Sequence, residues 1–416
     1  MVGRVSINRY NRKEDFLLSR LASLYFIVMV ANYSLKTYFK QMPNIVSMIN
    51  TVMMGILVVT MFSSLIKAFK GNKGIILNSY FLFGLLLLVG CLLNSNNGYS
   101  NDVIIRENAV WNLGLWIPLG CTVVAINNKE ILYKELLRAS YVIDIFLAFA
   151  FFTREVYTEY GQIAYNMSFG TYIILPLLLH LNEFLKRKNK TAGVIMLFEL
   201  FALLVYGNRG GLLSIAFFLL SYYVLSNRST RAKSIFIVIG FVMILFVSIF
   251  GELMMSEANT ILSAHGIQSR TLDLFFSGDI SLSTERDELR IVTIEMIKES
   301  PFFGWGFGGE YYEIARRFSS ISGGVNSSFN PHNGILQNFV EFGVILGFIA
   351  SFLIVKPLFG VKKIPNSDYK DLLIIFASYA IIPKLVSAAG FFIHPEVAVF
   401  LYLYYFKKRS KKVILS

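Results

Sequence analysis

The sequence predicts an all-α polytopic membrane protein of about twelve transmembrane helices, with one long, partly helical extracytoplasmic loop between the ninth and the tenth. Three observations predict it. Of 416 residues, 55% are hydrophobic and only 16% charged, whereas soluble globular chains carry roughly a quarter charged residues. Apolar runs of about 17 to 22 residues recur from end to end, a length that crosses the hydrocarbon layer of a bilayer. The basic residues gather in short segments between alternate runs, the asymmetry that marks cytoplasmic loops.

The expected spans, in order, are 17–34, 43–66, 74–93, 108–126, 137–153, 163–182, 191–207, 211–226, 234–251, 333–355, 371–388 and 390–406. The first follows a basic start (Arg4, Arg9, Arg12, Lys13) and has no convincing small-residue cleavage site after it, so it reads as a retained helix. With the N-terminus inside, each basic cluster falls on the cytoplasmic side, from Lys67, Lys70 and Lys73 to the tail of Lys407, Lys408, Arg409, Lys411 and Lys412. Both termini are then cytoplasmic. The last two spans are interrupted by Pro383, Gly390 and Pro395, and such breaks are tolerated at membrane depth where protein or water satisfies the freed backbone groups. Three segments follow: 1–251 with spans one to nine, the loop 252–331, and 332–416 with the last three spans and a basic tail.

The net charge of +13 is thus a topology signal, and nucleic-acid binding is not expected. Cys91 and Cys121 both sit in apolar runs, which argues against a disulfide framework, and no zinc-type spacing is present. Walker, Rossmann and nucleophile-elbow motifs are also missing. The long loop holds eleven acidic and six basic residues, the reverse of the cytoplasmic segments, and it is rich in aromatics. That composition argues for order rather than disorder. Ser283-Thr284-Glu285 offers an N-cap, Leu289, Val292 and Met296 recur at helical spacing, and Pro301 ends the helix. The run Phe302-Phe303-Gly304-Trp305-Gly306-Phe307-Gly308-Gly309 then suits a membrane interface or a ring-stacking surface.

Few residues can carry chemistry. Arg209, in Tyr206-Gly207-Asn208-Arg209-Gly210-Gly211, lies between two runs at the outer face. It reads either as a fork of donors for a phosphate or as a snorkelling arginine at a short turn. His332, in Asn330-Pro331-His332-Asn333-Gly334, stands where the loop re-enters the membrane. It reads as a general base or as a polar cap. Arg286 and Arg290, one turn apart, either bind an anion or pair with Glu285, Asp287 and Glu288. Arg316 and Arg317 are adjacent and are expected to diverge. His394 is a candidate to line the site, and His180 and His265 read as packing or loop residues.

Three stretches resemble the O-antigen ligase and O-antigen/capsular polysaccharide polymerase superfamily of bacterial membrane glycosyltransferases. They are Asn208-Arg209-Gly210-Gly211-Leu212-Leu213; Arg286 followed by Ile297 through Gly306; and Pro331-His332-Asn333-Gly334-Ile335-Leu336-Gln337 with Glu341-Phe342-Gly343. Asn208 replaces the usual Ser, and Arg290 stands where the family often has Trp. The resemblance implies a glycan donor and acceptor linked to undecaprenyl diphosphate, attack with inversion, and no metal, nucleotide or other cofactor. It implies His332 as general base and Arg209 on the diphosphate, with Arg286 stabilising the leaving group. Arg290, Asn333, Trp305 and His394 complete the expected substrate-binding set. A flippase and a chain-length regulator of the same pathway, in the bacterial cytoplasmic membrane, are the implied partners.

Polymerase and ligase readings both remain open, because the acceptor is not written in the chain. Its richness in Phe, Ile, Asn and Lys suggests an AT-rich genome and favours a capsule-type polymerase. A lipid-linked oligosaccharide flippase would share the span count, but it should show two related halves, and no internal repeat is found.

Overall fold

The computed structural model describes residues 2–102, 104–153, 167–206, 209–224, 284–317, 330–386 and 390–406, with Thr260 alone between them. Among these residues every regular element is helical. The helices are α1 (Val2–Tyr38), α2 (Pro43–Asn96), α3 (Ile117–Ala125), α4 (Lys129–Phe152), α5 (Met167–Tyr172), α6 (Ile174–Arg187), α7 (Lys190–Tyr206) and α8 (Arg209–Val224). After the first part of the loop come α9 (Thr284–Glu299), α10 (Glu310–Arg317), α11 (Gly334–Gly360), α12 (Asp368–Phe376), α13 (Ile382–Val386) and α14 (Pro395–Tyr405).

Five described segments are long and apolar enough to cross a membrane: Arg12–Tyr38, Pro43–Phe69, Gly71–Asn96, Ser168–Arg187 and Gly334–Lys363. They fall on the expected spans one, two, three, six and ten. Asn112–Ala125 and Gly210–Val224 are shorter apolar helices, at spans four and eight. Expected span nine lies outside the described residues. The interruptions at Pro383 and Gly390 correspond to real breaks. A π-helical stretch, Ala377–Ile381, and the short α13 replace one continuous helix, and α14 begins afresh at Pro395.

Exposure separates the layers. The apolar window of Ser168–Arg187 is 72% buried, against 17% for Pro43–Phe69, so α6 is central and α2 peripheral. The outer helices present apolar side chains outward, among them Val59, Phe62, Phe81, Ile345, Phe348 and Phe359. Apolar exposure on this scale, on helices of spanning length, is the surface of a chain dissolved in lipid. This is an integral membrane protein.

Local chemistry sets the helix ends. α2 is broken at Asn72, where φ is −137°. The Asn128 side chain caps α4 by accepting from Glu130 N. The Asp15 carboxylate accepts from Asn127 N at 2.8 Å and Asn128 N at 3.0 Å, tying α1 to the start of α4. α6 ends at Lys188 in the left-handed region.

Two helices are described in the stretch between α8 and α11. α9 begins at Thr284 and ends just before Pro301. The second helix, α10, buries Glu310, Tyr311, Glu313 and Ile314.

Candidate functional site

The site is built around the start of α11. Asn330 Oδ1 accepts from His332 N at 2.9 Å, a side-chain turn that re-aims the chain after Pro331. His332 takes φ of 49°, a left-handed conformation uncommon outside glycine. Its side chain is half-buried. Asn333 then caps α11, accepting from Ile335 N at 3.0 Å and Leu336 N at 3.1 Å. The Asn333 Nδ2 donates to Leu385 O at 3.0 Å. The cap therefore also holds α13, and α13 packs along α8, the helix that opens with Arg209.

Arg209 is the first residue of α8 and Arg286 lies in the first turn of α9. Both side chains lie outside the described residues. Arg290 is described and exposed on α9.

Trp305 is anchored in the loop. Its Nε1 donates to Met296 O at 3.0 Å, and the Arg317 guanidinium lies 5.9 Å from the ring centroid. Of the neighbouring aromatics, Phe302 and Phe303 are exposed, while Phe307 is buried and stacks on Phe342 at 5.9 Å.

The second and third motif stretches are physically interlocked. α11 is broken at Gly343, with φ 74° and ψ 179°, a combination essentially reserved for glycine. The freed backbone takes up the loop. Trp305 N donates to Val340 O at 2.8 Å, Gly306 N to Glu341 O at 3.0 Å and Val344 N to Pro301 O at 2.7 Å. A Cβ on Gly343 would strike the Phe302 carbonyl, and one on Gly304 (φ 67°) would strike the Glu341 carbonyl. These glycines are where two backbones touch.

Beneath this contact lies a buried acidic pair. Gln337 Nε2 donates to Glu310 Oε1 at 2.8 Å and to Glu341 Oε1 at 3.0 Å. Burial, and then the facing Glu341 carboxyl, push Glu310 well above the usual glutamate range.

Arg316 and Arg317 do not diverge as their adjacency suggests. At i+3 and i+4 from Glu313, both reach that one carboxylate. Arg316 Nε lies 3.0 Å from Oε2 and Arg317 Nε 2.7 Å from Oε1. Tyr99 OH donates to Glu313 Oε2 at 2.6 Å, fixing the loop to the turn after α2. Burial opposes the charge on Glu313, but the hydrogen bonds from Arg316, Tyr99 and Arg317 outweigh it and hold this carboxyl at about 2.

A further charged group was missed in the sequence. Lys384 on α13 is buried, with Nζ 3.6 Å from Glu396 Oε1. His394 Nδ1 is 3.2 Å from the same oxygen. The His394 Nε2 is sealed from solvent and has no hydrogen-bond partner. A lysine inside an apolar run is itself a functional signal, and Pro383-Lys384 supplied it.

The fold and site thus define an integral membrane protein whose polar groups meet where a partly helical loop docks on a broken helix. Residues 192–351 match the O-antigen ligase family. That segment runs from α7 through the loop into α11 and contains Arg209, Arg286 and His332. The match supports placing this chain in the O-antigen ligase and polymerase superfamily, and it implies a glycosyltransferase-like activity. No curated protein matches the chain.

Proposed function

We propose that this protein polymerises oligosaccharide repeat units carried on undecaprenyl diphosphate into a surface polysaccharide, such as a capsule, exopolysaccharide or O-antigen. It works at the outer face of the bacterial cytoplasmic membrane, multi-pass and with both termini inside. A hydroxyl of the acceptor sugar attacks the anomeric carbon of the donor. A new C–O bond forms, the bond from that carbon to the diphosphate oxygen breaks with inversion, and undecaprenyl diphosphate leaves. His332 takes the hydroxyl proton, while Arg209, assisted by Arg286, meets the charge gathering on the leaving group. The diphosphate is itself the activated leaving group, so the reaction needs neither nucleotide nor metal. Arg290, Asn333, Trp305 and His394 bind or position the glycans. A separate flippase delivers the donors, and a chain-length regulator acts on the same product.

The observation that carries this reading is the double role of Asn333. It caps the helix beside His332 and holds, through Leu385 O, the short helix that packs along the helix of Arg209. One polar side chain thus links the turn that carries His332 to a short helix packed on the helix that Arg209 opens.

The test is complementation of a deletion strain with His332→Ala and Arg209→Ala, read as surface-polysaccharide length and lipid-linked intermediates. Single lipid-linked repeats gathering on the outer leaflet, at normal protein level, are the expected result. Long-chain polymer from both variants contradicts the proposal. Repeats gathering on the inner leaflet point to a flippase, and finished polymer failing only to reach a lipid-A core points to a ligase.

A further inference from the structure

Asp144, His180 and Glu199 stand on three helices, α4, α6 and α7, and meet inside the bundle. His180 is fully buried, the Glu199 side chain is 2% exposed and that of Asp144 15%. The His180 Nδ1 lies 3.1 Å from Glu199 Oε1 and 3.7 Å from Asp144 Oδ2. One ligand atom from each of the three residues falls within 4.8 Å of the other two.

The hydrogen bonds accommodate a ring tautomer that faces the carboxylates with a lone pair. His180 Nε2 lies 3.0 Å from Ser140 Oγ. The Ser140 hydroxyl hydrogen is already given to Leu137 O at 2.7 Å, so its oxygen is left to accept. In that arrangement Nε2 carries the ring proton, and Nδ1 points an electron pair at two carboxyl groups, the tautomer a metal ligand requires. Both Asp144 carboxyl oxygens and Glu199 Oε2 are buried and receive no N–H or hydroxyl donor, and the two carboxyl groups lie within hydrogen-bond reach of each other. Acceptors converging away from water are costly unless a cation or a shared proton sits among them, and the imidazole lone pair adds a third ligand suited to a metal ion.

The distances suit a small divalent ion, and the ligand types narrow its kind. A tetrahedral ion with bonds of about 2.0–2.1 Å holds its ligands about 3.3–3.4 Å apart, and the two His180 separations bracket that value. One imidazole with two carboxylates suits zinc-class ions, whereas calcium and magnesium prefer all-oxygen shells. The bond from Nε2 to Ser140 is the outer hydrogen bond that orients a metal-bound histidine.

We propose that Asp144, His180 and Glu199 bind a divalent cation of the zinc class, which clasps α4, α6 and α7 together. Glu199 lies about two turns, or about 10 Å, before the end of α7 that leads towards Arg209. The ion takes no part in glycosyl transfer, and its presence is independent of that reaction. No sequence spacing revealed it, because each helix supplies a single ligand.

The test uses the full-length, tag-cleaved protein in detergent, measured for metals by mass spectrometry after passage through a chelating resin. About one zinc per chain is expected, together with a rise in melting temperature when stripped protein is titrated with zinc alone. Glu199→Gln and Asp144→Asn should lose both the stoichiometric zinc and the rise, while His332→Asn keeps them. Wild-type protein with less than about a tenth of an equivalent and no zinc-dependent rise overturns the proposal and leaves a shared proton in the cluster. Zinc retained in full by both cluster variants also overturns it. Should those variants fail to fold, the wild-type metal content and titration decide alone.

Discussion

A histidine with φ of 49° between an Asx turn and a helix cap is held in place by its neighbours, and this separates its chemistry from its backbone role. Asparagine tolerates the left-handed region better than alanine. His332→Asn should therefore keep the melting temperature of the wild type yet lose turnover by about 10²–10⁴-fold, the usual contribution of a general base. His332→Ala should lose both, as thermal melting and single-turnover assays would show. Wild-type turnover in the Asn variant would remove the proposed base.

Glu313 tests the loop in the same way. Its carboxyl is held at about 2 against an ordinary 4.5, so its stabilising effect is complete above pH 4.5 and fades as the pH falls towards 2. Glu313→Gln should lower the melting temperature at neutral pH and flatten its acid dependence. Glu310 is shifted upward by burial and by Glu341, so its contribution is present at low pH and fades as the pH rises. Glu310→Gln should therefore gain relative to the wild type in alkaline buffer. At this scale the sequence displayed His332, Asn333 and Arg209 because their types and turn neighbours are unusual in an apolar chain. It concealed the convergence of Arg316 and Arg317, since adjacency suggested opposite directions while the shared partner lay one turn back. Lys384 was on view in its apolar run, but its pairing with Glu396 was hidden because it depends on how two broken helices fold together.

Among the elements, the docking of the 301–309 loop into the break of α11 is the feature on which the site's shape depends. The break needs φ of 74° and ψ of 179° at Gly343, and forcing another residue there costs about 1–3 kcal/mol. Gly343→Ala should lower stability by that order and expose the loop to limited proteolysis near Trp305. An unchanged digestion pattern and melting curve would contradict the interlock. Alpha-helical periodicity and Pro301 were enough to read α9 and its end in the sequence. The break was not readable, because Glu341-Phe342-Gly343 lies inside an apolar run that continues to Gly360. Only the partner backbone explains why a glycine stands there. The same holds for the π-helical stretch and α13, whose existence Pro383 announced but whose geometry follows from packing on α8.

For the whole molecule, composition and the distribution of basic residues were sufficient to read a helical membrane protein, since lipid imposes length and polarity on every span. They were less informative about the contacts of α4 and α7 with α6, which Asp144 and Glu199 make from within apolar stretches. The expected topology, with both termini inside, is tested by single cysteines in a Cys91→Ser/Cys121→Ser background. A cysteine at Ser300 should react with an impermeant thiol reagent in intact cells, and one at Asn366 only after permeabilisation. The reverse pattern would invert the orientation.

The most direct measurement is glycosyl transfer in proteoliposomes holding the purified protein and a synthetic undecaprenyl-diphosphate-linked repeat unit, without nucleotide and with chelator present. A ladder of lengthened glycans is expected, with one undecaprenyl diphosphate released per bond formed and no ladder from His332→Asn or Arg209→Ala. A ladder of wild-type length from both variants, or lipid-linked donor left unconsumed by the intact protein while it moves between leaflets, would contradict the proposal.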